Sequence, residues 1–152
     1  MLTPVAPEEL SALVHEVEHT LRRCLDEQLG QYATSLTQCQ AMHAIGRNPG
    51  VPQYQLARLT NQSDQAFNTL MSRLAARGFV ERRVSRRRVA IHDLTVVGRG
   101  TLRQADELIQ SVMHAAWAPL TEPERQTLRL MLRREHAAEH LARLEPLPEP
   151  VW

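Results

Sequence analysis

Apolar residues recur at steps of three and four along the first third of the chain, the spacing that one face of an amphipathic helix requires. This pattern predicts a first helix from Glu8 to about Gln28 and a second helix that ends at Ile45. Thr37 is the predicted N-cap of the second helix, since Gln40 stands three positions later and completes a capping-box pattern. The Asn-Pro-Gly sequence that follows cannot continue a helix and ends it.

Two shorter helices are predicted next, joined by a polar turn at residues 60–62. The third covers residues 53–59, and the fourth runs from Ser63, a strong N-cap residue, to Arg77. Gly78 suits the left-handed conformation that commonly follows the C-terminus of a helix. Two helices separated by a short turn are typical of a helix-turn-helix.

The period of the apolar residues changes to two after the fourth helix, which predicts a β-hairpin around a tight turn at 85–87. Two long helices follow. One runs from Thr95 to about Pro119, and the other begins at the Thr121–Glu124 capping box and continues to about Leu144. We therefore predict a mainly α fold with a small β-hairpin, a winged helix-turn-helix between long N- and C-terminal helices.

Length and composition are those of an ordinary globular protein, with 152 residues of which 43% are hydrophobic and 23% charged. One domain, 1–152, is predicted. No run of about 18 apolar residues and no leader pattern is visible, so we expect a cytoplasmic protein without a membrane partner. Its cysteines, Cys24 and Cys39, are then expected to be reduced thiols.

The charged residues are segregated along the chain. Residues 70–103 contain nine arginines and two acidic residues, a net charge of +7, whereas the rest of the chain carries −6. A near-neutral protein with its positive charge in one segment presents a surface for a polyanion, because counterion release from phosphates drives much of nucleic-acid binding. Double-stranded DNA is therefore the predicted partner.

The fourth helix is predicted to have one apolar and one polar face. Its apolar residues are Phe67, Leu70, Met71 and Leu74, expected to pack on the third helix through Leu56 and Leu59. The predicted DNA contacts of its polar face are Ser63, Gln65, Asn68, Thr69, Ser72 and Arg73. Those of the hairpin are Arg82, Arg86, Arg87 and Arg88. Because Asn and Gln favour adenine edges, an A/T-containing half-site is expected, the alternative being a solvated polar surface.

A series of short motifs extends along nearly the whole chain. They are Leu36-Thr37-x-x-Gln40, Pro49-Gly50, Leu56-Ala57, Leu74-x-x-x-Gly78-Phe79-Val80-Glu81-Arg82, Leu94-Thr95-x-x-Gly98 and Leu120-Thr121-x-x-Glu124. In this order they resemble the MarR family of bacterial transcriptional regulators. The resemblance implies a homodimer on a pseudo-palindromic DNA site, usually a repressor, from which a ligand or an oxidant commonly releases the DNA. It also implies that residues 1–35 and 101–152 are dimerisation helices and that residues 36–100 are the DNA-binding module.

The tip of the wing departs from the family's pattern. The hairpin is a little shorter, and Ser85-Arg86-Arg87 stands where the family usually has Asp-x-Arg. Arg87 can still enter a groove, but the aspartate that would orient it is missing. Gln62, just before the fourth helix, occupies a position that is more often apolar.

Two kinds of regulatory site are predicted. A small molecule, such as an aromatic acid, is expected in the pocket that the resemblance implies, with lining candidates His43, Met113, His114 and Trp117. Simple core packing is the alternative for Met113 and Trp117. Oxidation of Cys24 is the other trigger, since a branch of the family senses hydroperoxides through a cysteine of its first helix. The apolar phase of Cys24 predicts a packed, slowly reacting thiol, which favours the small molecule.

Other function classes have little support in the sequence. Histidines at i and i+4 occur at His15/His19 and His136/His140, but neither pair has the residue order of a zinc protease, and no metal or cofactor is predicted. No glycine-rich phosphate loop or nucleophile elbow is present, so an enzyme is not expected. The rival that remains is a winged-helix module that binds a protein instead of DNA.

Overall fold

The computed structural model describes residues 4–135 of the chain. The elements in chain order are α1 (Pro7–Leu29), α2 (Leu36–Arg47), α3 (Gln53–Leu59), α4 (Asp64–Ala76), β1 (Val80–Val84), β2 (Ala90–Leu94), α5 (Val96–Trp117) and α6 (Glu122–Glu135). The predicted mainly α fold with one hairpin is confirmed. The predicted continuation of the last helix to Leu144 lies outside the described residues.

The chain divides into two compact units, Met1–Met113 and His114–Trp152. The core of the first unit joins all of its helices. Its largest fully buried side chains are Phe67, Leu25, Leu29, Met42, Leu56, Leu74 and Cys39. The packing of α4 on α3 is as predicted for Leu56, but Leu59 is 62% exposed and the prediction for it is wrong. Leu56 and Ala57 define the buried side of this two-turn helix, and Leu59 lies away from that side.

The start of α2 differs from the prediction. Ser35, not Thr37, is the N-cap, and its hydroxyl accepts a hydrogen bond from the backbone N–H of Gln38 at 3.3 Å. A carboxylate oxygen of Asp26, near the end of α1, accepts the N–H of Leu36 at 2.7 Å. The N-cap therefore lies two residues before Thr37, and the N–H groups of Leu36 and Gln38 in the first turn have partners.

The predictions for the ends of α4 are confirmed. The Ser63 hydroxyl caps the helix by accepting the N–H of Ala66 at 3.1 Å. Beyond the helix, Gly78 has φ +72°, the left-handed conformation that a glycine adopts without steric cost.

The hairpin is an antiparallel pair in which Val80 faces Leu94 and Arg82 faces His92. Its turn is closed by a hydrogen bond from the N–H of Arg88 to the carbonyl oxygen of Ser85, at 2.8 Å. An additional bridge pairs Pro52, the residue before α3, with Ile91 of β2. The hairpin is thereby attached to the start of the helix-turn-helix.

A close junction joins the base of the hairpin to the first turn of α5. The Thr95 hydroxyl accepts the N–H of Gly98 at 2.9 Å, and its proton is directed at the carbonyl oxygens of Gly78 and Phe79. A Cβ atom on Gly98 would lie only 2.0 Å from the carbonyl oxygen of Phe79. Glycine is therefore required at position 98 by the approach of a neighbouring backbone.

The second unit begins with the end of α5 and continues into α6. The predicted capping box is present, since a Glu124 carboxylate oxygen accepts the backbone N–H of Thr121 at 2.7 Å. Hydrogen bonds from the Thr121 hydroxyl and N–H lower the pKa of Glu124 below its usual value. Arg125 donates to the carbonyl oxygens of Trp117 and Leu120, at 3.3 and 2.6 Å, and so fixes the connection between the helices.

Within 4–135, no helix is both long enough and apolar enough to span a bilayer.

Candidate nucleic-acid interface

The outward face of α4 carries the polar side chains that the sequence places there. The predicted contact residues Ser63, Gln65, Asn68, Thr69, Ser72 and Arg73 are all exposed, whereas Phe67, Leu70, Met71 and Leu74 are buried. The helix is thus anchored in the core by one face and presents hydrogen-bonding groups on the other, the arrangement that a helix needs to enter the major groove.

The polar residues of α4 differ in what they can offer a partner. The hydroxyls of Thr69 and Ser72 donate to backbone carbonyls of their own helix, at 3.1 and 3.0 Å, which leaves their oxygens as acceptors. In the described part of the chain, the side chains of Gln65 and Arg73 form no hydrogen bond or ion pair. These two groups are therefore available for direct contact with bases or phosphates.

Gln53, the first residue of α3, reaches across to the recognition face, a contact that the sequence analysis missed. Its side-chain N–H donates to the Oδ1 atom of Asn68 at 3.2 Å. Both residues line an open cleft of about 260 Å³ between the start of α3, α4 and the hairpin; its lining is Gln53, Tyr54, Asp64, Asn68, Arg82, Val89 and Ala90. The only sequence signal for its role is its position at the predicted start of the third helix.

The hairpin arginines fall into two groups. Arg83 forms an ion pair with Asp93 of the facing strand, and its hydrogen bond to that carboxylate lowers the pKa of Asp93. The predicted contact residues are Arg82, Arg86, Arg87 and Arg88, whose side chains are exposed and form no hydrogen bond or ion pair within residues 4–135. Arg83 therefore stabilises the hairpin, and the other four leave a positive charge uncompensated at its surface.

His92 lies beneath this basic surface on β2, directly opposite Arg82. It is only 3% exposed, and its Nδ1 atom has no hydrogen-bond partner in the described structure. Burial, reinforced by the charge of Arg82, lowers the pKa of His92 below its ordinary value of 6.5. The imidazole is therefore neutral near pH 7.

The buried imidazole makes stability depend on pH. The pKa of His92 is lower in the folded than in the unfolded state, so its contribution to the free energy of unfolding is fully present above pH 6.5. This contribution is lost as the pH falls below that value. We expect the urea midpoint of the wild type to fall more steeply between pH 7 and 5 than that of a His92→Leu variant. Parallel midpoint curves for the two proteins would contradict the assignment of a neutral, buried His92.

The predicted ligand-lining residues belong to both units. In the first unit, the Nε2 atom of His43 lies 2.8 Å from a carboxylate oxygen of Asp106 on α5, and Met113 packs partly buried against the core. In the second unit, His114 is exposed, and half-buried Trp117 lines an apolar cleft of about 420 Å³ with residues of α6. A common pocket for the four residues stays a prediction, and Asp106 is a partner that sequence reasoning did not find.

The two cysteines differ in burial. Cys39 of α2 is 1% exposed, and burial raises the pKa of its thiol. Cys24 is only partly buried, because Leu25 and Leu29 occupy the inward positions of α1, and its sulfur accepts a hydrogen bond from Gln28 at 3.4 Å. Within the single chain Cys24 is thus only partly packed, and its packing in a dimer stays a prediction.

The histidine pair of α1 is close but does not form part of a larger ligand cluster. The rings of His15 and His19 are stacked with centroids 6.2 Å apart. Among residues 4–135, no group of three or more His, Cys, Asp or Glu side chains is placed to hold a metal ion. The second pair, His136 and His140, lies outside the described residues.

Comparison with known proteins identifies this winged module. A model of the MarR family matches residues 34–88, from just before α2 to the tip of the hairpin. Over this module the chain is similar to the MarR family, as its sequence motifs predict. A curated relative is HTH-type transcriptional repressor Rv2887 of Mycobacterium tuberculosis (strain ATCC 25618 / H37Rv), 27% identical over 125 residues that cover 81% of this chain and 90% of that protein.

Solved structures of MarR family proteins superpose on the chain over most of its length. The structure of Rv2887 in complex with DNA matches this chain with a TM-score of 0.69 and 26% sequence identity. The match covers 86% of this chain and 98% of the Rv2887 chain. The structure of the same Mycobacterium tuberculosis protein in complex with p-aminosalicylic acid matches with a TM-score of 0.68 and 26% sequence identity. That match covers 87% of this chain and 100% of the Rv2887 chain. The predicted MarR resemblance and the winged helix-turn-helix fold are confirmed.

Proposed function

We propose that this chain is a sequence-specific, DNA-binding transcriptional repressor that binds a pseudo-palindromic operator in the bacterial cytoplasm as a homodimer. The observation that carries the proposal is the set of four unpaired hairpin arginines beside the exposed polar face of α4. A solvated surface gains nothing from repelling like charges, whereas phosphates neutralise them and release counterions. The structure of the relative Rv2887 with DNA supports the same conclusion.

The two parts of the module have different tasks in this proposal. The fourth helix enters the major groove, where each base pair displays a distinct pattern of donors and acceptors. The proposed base and phosphate contacts are Ser63, Gln65, Asn68, Thr69, Ser72 and Arg73. The hairpin follows the DNA backbone and approaches the minor groove with Arg82, Arg86, Arg87 and Arg88, because a narrow minor groove attracts arginine.

A homodimer is supported by the apolar stripe of α1. Leu10, Leu13, Val14 and Val17 are 54, 49, 56 and 46% exposed in the single chain. A contiguous exposed patch of this kind is typical of an interface, and two copies related by a two-fold axis match a pseudo-palindromic site. We therefore assign residues 1–35 and 101–152 to dimerisation and residues 36–100 to DNA binding.

A small molecule that binds a DNA-incompatible conformation is the proposed trigger for release. The complex of the relative Rv2887 with p-aminosalicylic acid supports an aromatic acid as the ligand class. We assign His43, Met113, His114 and Trp117 as candidates for the lining. Since the coupling is reciprocal, operator DNA weakens ligand binding by the same factor as the ligand weakens operator binding.

The partial exposure of Cys24 favours one alternative trigger, oxidation of its thiol. Operator binding measured with cumene hydroperoxide and with aromatic carboxylates separates the two. One result would make an oxidant the trigger instead of a small-molecule ligand. In that result, peroxide releases the DNA from the wild type but not from a Cys24→Ser variant, and no carboxylate changes operator binding.

Salt dependence tests DNA binding at the hairpin. We expect Arg87→Ala to weaken binding to all DNA sequences alike. The plot of log affinity against log salt concentration, which has a negative slope, should become shallower by about one unit because one phosphate contact is lost. The measurement is fluorescence anisotropy on labelled duplexes over a series of salt concentrations. Arg23→Ala is the matched control, since Arg23 is an exposed arginine of α1 that pairs with Glu27.

The control should leave the salt slope unchanged. An equal change in both variants would trace the effect to net charge rather than to contact. If the wild type shows no salt-dependent binding to any duplex, the rival assignment as a protein-binding winged helix is correct instead.

A further inference from the structure

The bond between Gln53 and Asn68 restricts what the recognition helix can offer to a base. It joins the first residue of α3 to the exposed face of α4, and both helices contribute buried side chains, Leu56 and Phe67, to the same core. The relative position of the two amides is therefore set by the core of the helix-turn-helix.

The direction of this hydrogen bond matters. Gln53 donates its side-chain N–H, so the Oδ1 atom of Asn68 is the acceptor and one of its two lone pairs is occupied. The Nδ2 atom of Asn68 forms no hydrogen bond within the described residues, and its two N–H groups remain available. In the free protein, Asn68 therefore offers two N–H donors but only one remaining acceptor position.

A donor group does not suit adenine best. Asn reads adenine by using both atoms of its amide, with the oxygen accepting from the N6 amino group and the nitrogen donating to N7. Guanine instead displays two neighbouring acceptors in the major groove, N7 and O6. With one lone pair of its oxygen held by Gln53 and both N–H groups free, Asn68 favours guanine.

We propose that Gln53 is a specificity-determining residue that makes Asn68 select guanine over adenine in the operator half-site. This inference rests on the proposed function, since it assigns the base that one residue of the recognition helix reads. Gln53 acts through Asn68 and need not touch the base itself, which makes it a positioning residue.

The test begins with the wild-type protein and a pool of randomised duplex DNA. Selection yields the preferred site, and each base pair of that site is then substituted in turn. Anisotropy measurements with wild type and Asn68→Ala identify the base pair at which this substitution removes the preference. We expect that base to be guanine, bound at least about fivefold more tightly than adenine at the same position.

Two substitutions of Gln53 then change the hydrogen bond in different ways. Gln53→Ala removes the donor and frees the Asn68 oxygen. Gln53→Glu reverses the bond, because a carboxylate can only accept and must accept a hydrogen bond from the Asn68 amide N–H. Both variants should lower the guanine-to-adenine affinity ratio by at least about fivefold at the Asn68 base pair, and the ratio is insensitive to an overall loss of affinity.

The controls separate this role from others. Gln55→Ala removes an exposed glutamine of the same helix, whose amide donates to the Tyr54 hydroxyl instead of to α4, and should leave the ratio unchanged. In the background of Asn68→Ala, Gln53→Ala should have no further effect on base preference. A further shift there would show that Gln53 reads a base directly and would overturn the positioning role.

The remaining outcomes distinguish failure of the proposed function from failure of this inference alone. A wild type that recovers no preferred site contradicts the proposed function, and this inference fails with it. Three results overturn this inference alone while DNA binding stays specific. The preferred base at the Asn68 position is adenine, or no base preference depends on Asn68. In the third, neither Gln53 variant changes the guanine-to-adenine affinity ratio. A uniform loss across all sequences in Gln53→Ala would indicate a phosphate contact and would equally overturn it.

Discussion

Replacing Gly98 with alanine should destabilise the protein by about 3 kcal/mol, the upper end of the usual cost of forcing an extra methyl group into packed structure. The new Cβ would lie 2.0 Å from the carbonyl oxygen and 2.8 Å from the carbonyl carbon of Phe79. Both are backbone atoms, so relief requires a shift of the hairpin base or of α5. Such a shift also separates the Thr95 hydroxyl from the groups that it joins.

Thermal unfolding checks this prediction with a control on the same helix. A loss of this size corresponds to a fall in Tm of roughly 10 °C for a chain of this length. Gly100 is the matched position, because a Cβ there meets no atom within 4 Å. Gly100→Ala should therefore raise stability by up to about 1 kcal/mol through helix propensity. Equal stability of the two variants would contradict the close approach at position 98.

Two aspartates in the apolar stripe of α1 should convert the proposed homodimer into monomers. Leu13 and Val17 are 49 and 46% exposed in the single chain, so the Leu13→Asp, Val17→Asp double substitution places charges where a partner must bury apolar surface. A monomer engages one half-site only and loses the gain from linked binding. We expect operator affinity to fall by at least about 100-fold.

Sedimentation velocity measures the oligomeric state of this variant, and anisotropy measures its operator affinity. Ala12→Asp with His19→Asp is the control, since these residues lie on the opposite side of α1 and add the same number of carboxylates. The control should remain a dimer with nearly unchanged affinity. A dimeric Leu13→Asp, Val17→Asp variant would show that the stripe is not the interface.

Local signals made much of the fold predictable. The bounds of α3 and the cap at Ser63 follow from short-range periodicity and capping chemistry, and the structure has them as expected. The start of α2 did not follow, because Ser35 and Thr37 are both suitable N-caps. The choice between them depends on Asp26, whose carboxylate binds the N–H of Leu36 from another helix.

The parts of the candidate site that sequence reasoning missed are pairs distant in sequence. Gln53 and Asn68 are separated by 15 positions and His43 and Asp106 by 63, so no local pattern links the members of either pair. The exposed polar face of α4 was predictable because helical periodicity alone separates it from the core. Which of its atoms are already engaged depends on tertiary contacts.

The burial of Cys39 provides a built-in reporter of motion in the core. Its thiol is 1% exposed and its pKa is raised, so a thiol reagent in solution can reach it only when the helices around it open. In a Cys24→Ser background, Cys39 is the only thiol of the chain. The rate at which it is labelled then measures how often the core opens, and the same rate recorded with DNA bound measures how far the complex suppresses that opening.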